Sequence, residues 1–132
     1  MYIFCGYYDH QNNYEDKVKE MGIENNVMFV GHVDRIKELP YYYSDADVVL
    51  SIPSSDSSPL SVYEAMACAT PIIASDLPWL NHKFSKYSPK VIPVRDVDKL
   101  SDAIIEVLSD TVDYPTTHLF NIVNNHINKD KE

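Results

Sequence analysis

The sequence predicts an α/β fold built on one parallel sheet, and two features of its hydropathy pattern lead to that prediction. Five short apolar runs recur along the 132 residues, and segments with helical periodicity separate them. Unbroken apolar runs of about four residues are typical of strands that are covered on both faces. Repeated strand–helix–strand units imply right-handed crossovers in an α/β architecture. A chain of this length has the size of one domain, so we predict a single domain over residues 1–132.

The predicted elements alternate along the chain. Strands are predicted at residues 2–5, 27–30, 48–51, 71–74 and 91–94. The helix at 14–21 ends before Gly22, the helix at 34–43 begins at a capping Asp34, the helix at 61–68 follows Pro59, and the helix at 97–108 follows Asp96. A further amphipathic helix is predicted at 121–131.

The composition excludes several classes of partner. The chain has 20 acidic against 11 basic side chains, which gives a formal net charge of −9. Proteins bind duplex nucleic acid and anionic lipid through clustered Lys and Arg side chains. Because this chain is acidic, neither is expected as a partner. The three glycines are too far apart in the sequence to form a phosphate-binding loop of the dinucleotide or P-loop type.

Targeting and metal-binding signals are also missing from the sequence. There is no secretion signal and no window of about 18 apolar residues, so we expect neither secretion nor a transmembrane segment. Cys5 and Cys68 lie in apolar segments, which is typical of small buried side chains in a reducing compartment such as the cytoplasm. The five histidines have no metal-binding spacing, so no metal site is expected.

Candidate ligand-binding residues follow the strands, because ligands of parallel sheets bind beyond the carboxyl ends of the strands. The richest segment is residues 53–59, a loop of small polar residues that runs into a predicted helix. A helix start offers free N–H groups to an anion such as phosphate, and the carboxylates of Asp56 and Glu64 can accept hydrogen bonds from sugar hydroxyls. The alternative interpretation is that Ser and Asp merely cap the helix. It does not explain Glu64, a carboxylate within an apolar helix.

The segment 46–78, ADVVLSIPSSDSSPLSVYEAMACATPIIASDLP, closely resembles the donor-site signature of the glycosyl transferases group 1 family of retaining, two-domain (GT-B) enzymes. The likeness extends from about residue 2 to about residue 128. It implies a Rossmann-like, three-layer αβα fold and a nucleotide-sugar-binding part of a hexosyltransferase-type enzyme. In this class the nucleoside-diphosphate sugar is the donor substrate, and no metal or other cofactor is implied.

The resemblance also implies roles for individual residues. The family has two glutamates separated by seven residues; the second is Glu64, which would bind the donor ribose, and the first is replaced by Asp56, which would contact the donor sugar. Gly31, His32 and Val33 match the loop beside the base. The donor-binding segment comprises Asp56, Ser57, Ser58, Pro59, Leu60, Ser61 and Glu64. Ala69 stands where the family usually has a Gly. A glycine position often implies positive φ, and an alanine in that conformation is expected to cost about 1 kcal/mol of stability.

Parts of the family pattern are absent from the sequence, so we expect a donor domain truncated at both ends. The acceptor-binding domain is missing, as are a central strand and a helix that carry an Arg/Lys pair for the diphosphate, and no Lys or Arg lies between Glu38 and His82. If the strands at 2–5 and 48–51 pair directly, the five strands have the flavodoxin-like order 2-1-3-4-5.

Three functional hypotheses follow. The first is the donor-binding part of a glycosyltransferase, inactive alone, which would need an acceptor-binding domain in cis or in trans and could be peripheral to a membrane through it. The second is a non-catalytic subunit or degenerate fragment that retains the fold. The third is part of a nucleotide-sugar epimerase. The aromatic run Tyr41, Tyr42 and Tyr43 is interpreted as packing rather than as a stacking surface, and Trp79 as either packing or ligand contact.

Overall fold

The computed structural model describes residues 1–5, 13–56, 59–83 and 89–109. Within these residues, strands and helices alternate as predicted. The elements are β1 (Tyr2–Cys5), α1 (Tyr14–Glu20), a short 3-10 helix (Glu24–Asn26), β2 (Val27–Gly31), α2 (Leu39–Asp45), β3 (Val49–Ser51), α3 (Leu60–Ala67), β4 (Ile72–Ser75), α4 (Pro78–Lys83), β5 (Lys90–Ile92) and α5 (Val97–Leu108). The helix predicted at 121–131 lies outside the described residues.

The chain divides into two compact units, Met1–Leu39 and Pro40–Glu132. In the first unit, β1 and β2 form a parallel pair whose register shifts after Phe4, so that Cys5 lies opposite Gly31. The rings of Phe4 and Phe29 stack with centroids 4.9 Å apart, and Tyr14 of α1 stacks on Phe4 at 6.4 Å. An aromatic cluster therefore holds α1 against one face of this strand pair.

The second unit contains a parallel sheet in the order β3-β4-β5. All four residues of β4 are buried. Alternate residues of the strand point to opposite faces: Ile72 and Ala74 join one core cluster, and Ile73 joins the other. The first cluster includes buried residues of α3 and α4, and the second includes Ala103 of α5. Helices therefore cover both faces of this sheet, which confirms the three-layer αβα arrangement in the second unit.

Two helix predictions need correction. The helix predicted at 34–43 begins only at Leu39, and residues 35–38 form turns. Pro40 explains the difference, because it lacks the N–H that would donate to the carbonyl of Ile36 in a longer helix. The helix α4 was not predicted. Its signal is Pro78, because proline is favoured at the first position of a helix.

The prediction that the strands are covered on both faces is correct for β4 but wrong for β1. Tyr2 and Ile3 are 40% and 42% exposed. Cys5, predicted to be buried, is a mostly exposed residue, and Cys68, for which burial was also predicted, is only half-buried. For β1 the physical reason lies within the first unit: α1 has only seven residues, and among the described residues β1 hydrogen-bonds to β2 alone.

The observed strand neighbours agree with the predicted order as far as the two sheets extend. β1 lies next to β2, and β3, β4 and β5 follow in sequence order. All the pairings are parallel. The pairing of β1 with β3, which would join the two sheets into one five-stranded sheet, stays a prediction, as does the single domain.

Candidate functional site

The start of α3, where the polar loop after β3 ends, has an unusual cap. Pro59 occupies the N-cap position with φ −67° and ψ 120°, and its ring has no polar atom that could accept a hydrogen bond. The interpretation of this loop as Ser and Asp at the cap is therefore wrong for the N-cap residue itself. The backbone N–H of Val62 donates to the carbonyl of Pro59 at 3.2 Å. The first N–H groups of a helix have no partner within the helix, and Leu60, the first helical residue, is 58% exposed.

Ser61 was predicted to bind the donor, and its hydroxyl contacts another protein hydroxyl. Ser61 Oγ and Ser51 Oγ are 3.1 Å apart. Ser51 is buried at the carboxyl end of β3, so this hydrogen bond ties the helix start to the strand end. Ser51 was not identified from the sequence as a site residue, because its ten-residue separation from Ser61 matches no motif.

Glu64 lies one turn into α3 and is half-buried, with Val62, Ala65 and Met66 of the same helix fully buried. Its Oε2 atom accepts a hydrogen bond of 3.1 Å from the hydroxyl of Tyr43 on α2. This contact meets the expectation that a carboxylate in an apolar helix needs a hydrogen-bond partner.

Tyr43 is itself held in place from two directions. Its side chain packs against the first core cluster, so the interpretation of the aromatic run as packing is correct for Tyr43, although it is incomplete without the bond to Glu64. The same interpretation is wrong for Tyr41, which is 72% exposed. Its carbonyl accepts a bond of 2.6 Å from the hydroxyl of Thr70, which is buried. Nothing in the sequence indicates either contact, because Tyr43 is 21 residues from Glu64 and 27 from Thr70.

Ala69 has a left-handed backbone, with φ 56°. The N–H of Ala69 donates to the carbonyl of Met66, and the N–H of Thr70 donates to the carbonyl of Ala65, both at 3.0 Å. These two bonds form a Schellman motif that ends α3. The expectation of positive φ at this position is confirmed.

The remaining predicted residues of the donor segment lie in the loop before α3. Asp56 is exposed, and Pro59 is buried. Ser57 and Ser58 lie outside the described residues. Within the second unit, the structure thus brings Pro59, Leu60, Ser61 and Glu64 together on one short helix and its cap.

The predicted base loop belongs to the first unit. Gly31 ends β2 with φ +74°, a conformation that L side chains rarely adopt, and the chain continues through an exposed His32 and a buried Val33. The Oδ1 atom of Asp34 then accepts from the N–H groups of Lys37 and Ile36 at 2.8 and 2.9 Å.

These two backbone hydrogen bonds, first that of Lys37 and then that of Ile36, lower the pKa of Asp34 below the ordinary value for an aspartate. The nearby charge of His32 contributes a smaller lowering. A carboxylate held by backbone N–H groups is favoured in its ionised form. Asp34 therefore stabilises the turn that follows the predicted base loop.

Burial describes the surroundings of two other residues that were considered from the sequence, Trp79 and Cys5. Trp79 is buried in the first core cluster, which favours packing over ligand contact. Partial burial raises the pKa of the Cys5 thiol. Within the described ranges no cluster of three or more His, Cys, Asp or Glu side chains could hold a metal ion. No helix in the described part of the chain is long and apolar enough to cross a membrane.

Comparison with known proteins adds the family and the fold. The family model described as "Glycosyl transferases group 1" matches residues 1–121. The chain is 29% identical over 111 residues to an alpha-monoglucosyldiacylglycerol synthase of Streptococcus pneumoniae (strain ATCC BAA-255 / R6), a match that covers 84% of this chain and 25% of that protein.

Two solved structures have a similar fold. The sucrose-phosphate synthase (tll1590) of Thermosynechococcus elongatus matches with a TM-score of 0.81 and 28% identity, over 93% of this chain and 33% of that chain. Anabaena Alr3699/HepE, solved in complex with UDP, matches with a TM-score of 0.75 and 19% identity, over 92% and 34%. These matches confirm the predicted α/β, Rossmann-like architecture. The chain spans about a quarter to a third of the length of these proteins.

Proposed function

The chain belongs to the glycosyl transferases group 1 family, and we propose that it forms the part of a glycosyltransferase that binds a nucleotide-sugar donor. The whole enzyme would transfer a sugar from a nucleoside diphosphate to an acceptor. The observation that carries this proposal is the start of α3, where a helix without a side-chain cap from its N-cap residue is followed one turn later by a fixed carboxylate.

The start of α3 suits the phosphate of a ribose phosphate, and the Glu64 carboxylate suits its ribose. Free N–H groups and the positive end of the helix dipole favour a phosphate at the helix start. Glu64 lies four residues after Leu60, which is about 6 Å along the helix axis at about 1.5 Å per residue. A carboxylate can accept from two vicinal hydroxyls at once, so Glu64 suits the ribose of a nucleotide whose phosphates lie at the helix start.

The other predicted residues receive the remaining parts of the donor. Asp56, the exposed acidic residue of the loop, would contact the transferred sugar. The segment Gly31, His32 and Val33 would lie beside the base. Hydrogen bonds and the helix dipole supply the attraction to the donor in this arrangement, and we propose that donor binding uses no metal ion.

The activity of the whole protein would require parts outside the described site. No Lys or Arg lies between Glu38 and His82, so the positive side chains that neutralise the diphosphate would come from elsewhere, as would the acceptor-binding domain, in cis or in trans. We therefore expect no sugar transfer by the purified 132-residue chain, and robust turnover of a nucleotide sugar by this chain would contradict that expectation. A cytoplasmic location, peripheral to a membrane through the acceptor part, is part of the same proposal.

The alternatives differ in what they predict for nucleotide binding. The family match favours a transferase over an epimerase. A degenerate subunit would keep the fold and lose the donor site, so it would bind no nucleotide. The expected result for a donor-binding domain is millimolar or tighter binding of at least one nucleoside diphosphate.

The test is an NMR titration of the isotope-labelled chain with UDP, GDP and ADP, since chemical shifts report millimolar binding. UDP is the first probe, because a chain of the same fold was solved with it. We expect shifts at Leu60 and Ser61, and loss of binding in Glu64→Ala. The matched control is Glu20→Ala, which removes an exposed carboxylate from the last turn of α1 and should bind as the wild type does. Failure of all three nucleotides to bind would refute the proposed function.

A further inference from the structure

The contact between Tyr43 and Glu64 assigns a further residue to the proposed donor site. We propose that Tyr43 is a positioning residue, which holds the Glu64 carboxylate in the orientation that accepts the ribose hydroxyls of the nucleotide. This inference rests on the proposed function. It adds a residue from a different helix, which neither the sequence pattern nor the comparisons indicate.

The geometry of α2 and α3 fixes this contact. Ser61, Glu64 and Cys68 recur at intervals of three and four residues, so they lie along one flank of α3. Glu64 Oε2 meets the hydroxyl of Tyr43, and the Cys68 thiol meets the carbonyl of Pro40 at 3.9 Å. These two contacts join α2 to the flank of α3 and to its C-cap, and the first places the Tyr43 hydroxyl on the Glu64 carboxylate.

Two contacts restrict the position of Tyr43 and therefore keep its hydroxyl on Glu64. Its ring packs on the first core cluster, and its carbonyl is held by the buried hydroxyl of Thr70. Thr70 reaches that carbonyl from the end of the left-handed turn at Ala69. The support for the Glu64 carboxylate therefore extends from the core through α2 and does not depend on α3 alone.

The hydrogen bond from the fixed Tyr43 hydroxyl restricts the orientations that the Glu64 carboxylate can adopt. An exposed glutamate samples many rotamers, and ordering them on ligand binding costs conformational entropy. A carboxylate has two oxygens with about four acceptor positions, so the bond from Tyr43 is compatible with accepting ribose hydroxyls. Fixing the carboxylate before the ligand arrives lowers the cost of binding, which is the general advantage of preorganisation.

The test compares UDP with 2′-deoxy-UDP, which lacks one ribose hydroxyl, on the wild-type chain and on Tyr43→Phe. Phenylalanine keeps the ring that packs on the core and removes only the hydroxyl. We expect UDP to bind about three- to tenfold more weakly to Tyr43→Phe, as loss of one hydrogen bond implies. We also expect the preference for UDP over 2′-deoxy-UDP to shrink, because a mobile Glu64 discriminates less between the two sugars.

Two controls separate positioning from general stability. Tyr41→Phe makes the same change two residues away, on a side chain that is 72% exposed, and should bind both nucleotides as the wild type does. Urea unfolding of each variant checks that the fold is retained, and NMR shifts at Leu60 and Ser61 provide a second measure of binding.

The outcomes distinguish a failure of the proposed donor-binding function from a failure of the positioning role of Tyr43. Absence of nucleotide binding to the wild type would overturn the proposed function and the role of Tyr43 with it. Binding that is lost in Glu64→Ala but unchanged in Tyr43→Phe would overturn only the role of Tyr43. An equal weakening of UDP and 2′-deoxy-UDP in Tyr43→Phe would also overturn it, because that result indicates a merely structural tyrosine.

Discussion

Replacing Ala69 by glycine should stabilise the protein, although alanine is the better helix former. Ala69 follows the C-cap of α3 with φ 56°, in the left-handed region. For residues with a side chain this conformation costs about 1–2 kcal/mol, because Cβ approaches the following carbonyl oxygen. Glycine adopts it without that clash. The substitution therefore removes strain while keeping both hydrogen bonds of the Schellman motif, which use backbone atoms only.

The net effect is smaller than the strain, because glycine is more flexible in the unfolded chain. That flexibility costs about 0.4–1 kcal/mol. At the middle of both ranges, the relieved strain exceeds this cost by about 0.8 kcal/mol, which is the expected stabilisation. The same turn carries Thr70, whose hydroxyl holds Tyr43, so the geometry at Ala69 also supports the candidate site.

Equilibrium unfolding in urea, followed by far-UV circular dichroism, measures this effect. With a slope of about 1–3 kcal/mol per molar urea for a protein of this size, the midpoint of Ala69→Gly should rise by about 0.2–1 M. The matched control is Ala67→Gly, at the last residue of α3. Within a helix the same exchange should destabilise by about 0.5–1 kcal/mol. A midpoint for Ala69→Gly that is unchanged or lower than the wild-type value would refute the strain argument.

Three further predictions concern the other parts of the structure. Gly31→Ala should destabilise the chain by about 1 kcal/mol through backbone strain, since no heavy atom of the described residues, apart from Gly31 and its two chain neighbours, lies within 4 Å of the added Cβ; an unchanged urea midpoint would contradict this. Ser51→Ala should cost about 1 kcal/mol in the same assay, because it removes the hydrogen bond to Ser61, and an equal loss in the double variant with Ser61→Ala would confirm that the two hydroxyls act as a pair. Asp34 has a lowered pKa in the folded protein, so the stability that its carboxylate adds should be present above the pKa of an unfolded aspartate and should be lost as the pH falls through the lower folded pKa. The difference in urea midpoint between wild type and Asp34→Ala should therefore vanish in acid. A difference that persists in acid would refute this role of the Asp34 carboxylate.

The elements of the fold were largely predictable because they depend on local patterns. The helix α5 occupies the predicted residues 97–108, and its N-cap Asp96 accepts a bond from the N–H of Lys99 at 2.9 Å as a capping residue should. Positive φ at Ala69 also followed from local sequence likeness. The errors arose where a local signal competed with another: Pro40 delayed the start of α2, and Pro78 started a helix that was not predicted.

Burial was less predictable, because it depends on which elements are present to cover a strand. Similar apolar runs form β1 and β4, yet Ile3 of β1 is exposed and all of β4 is buried. In the second unit, helices cover both faces of the sheet. Among the described residues of the first unit, one short helix covers one face of the strand pair. An apolar run indicates that a strand can be buried, and only the packing of neighbouring elements determines whether it is.

The sequence by itself determined the alternation of strands and helices, the family, and the candidate donor residues on and before α3, because these are properties of consecutive residues. The tertiary structure alone decided the contacts that hold the site in place. Tyr43 reaches Glu64 across 21 residues, Ser51 reaches Ser61 across ten, and Thr70 reaches the backbone of Tyr43 across 27. Such hydrogen bonds form only after α2, β3 and α3 have packed together, and the spacing of residues along a chain contains no record of that packing.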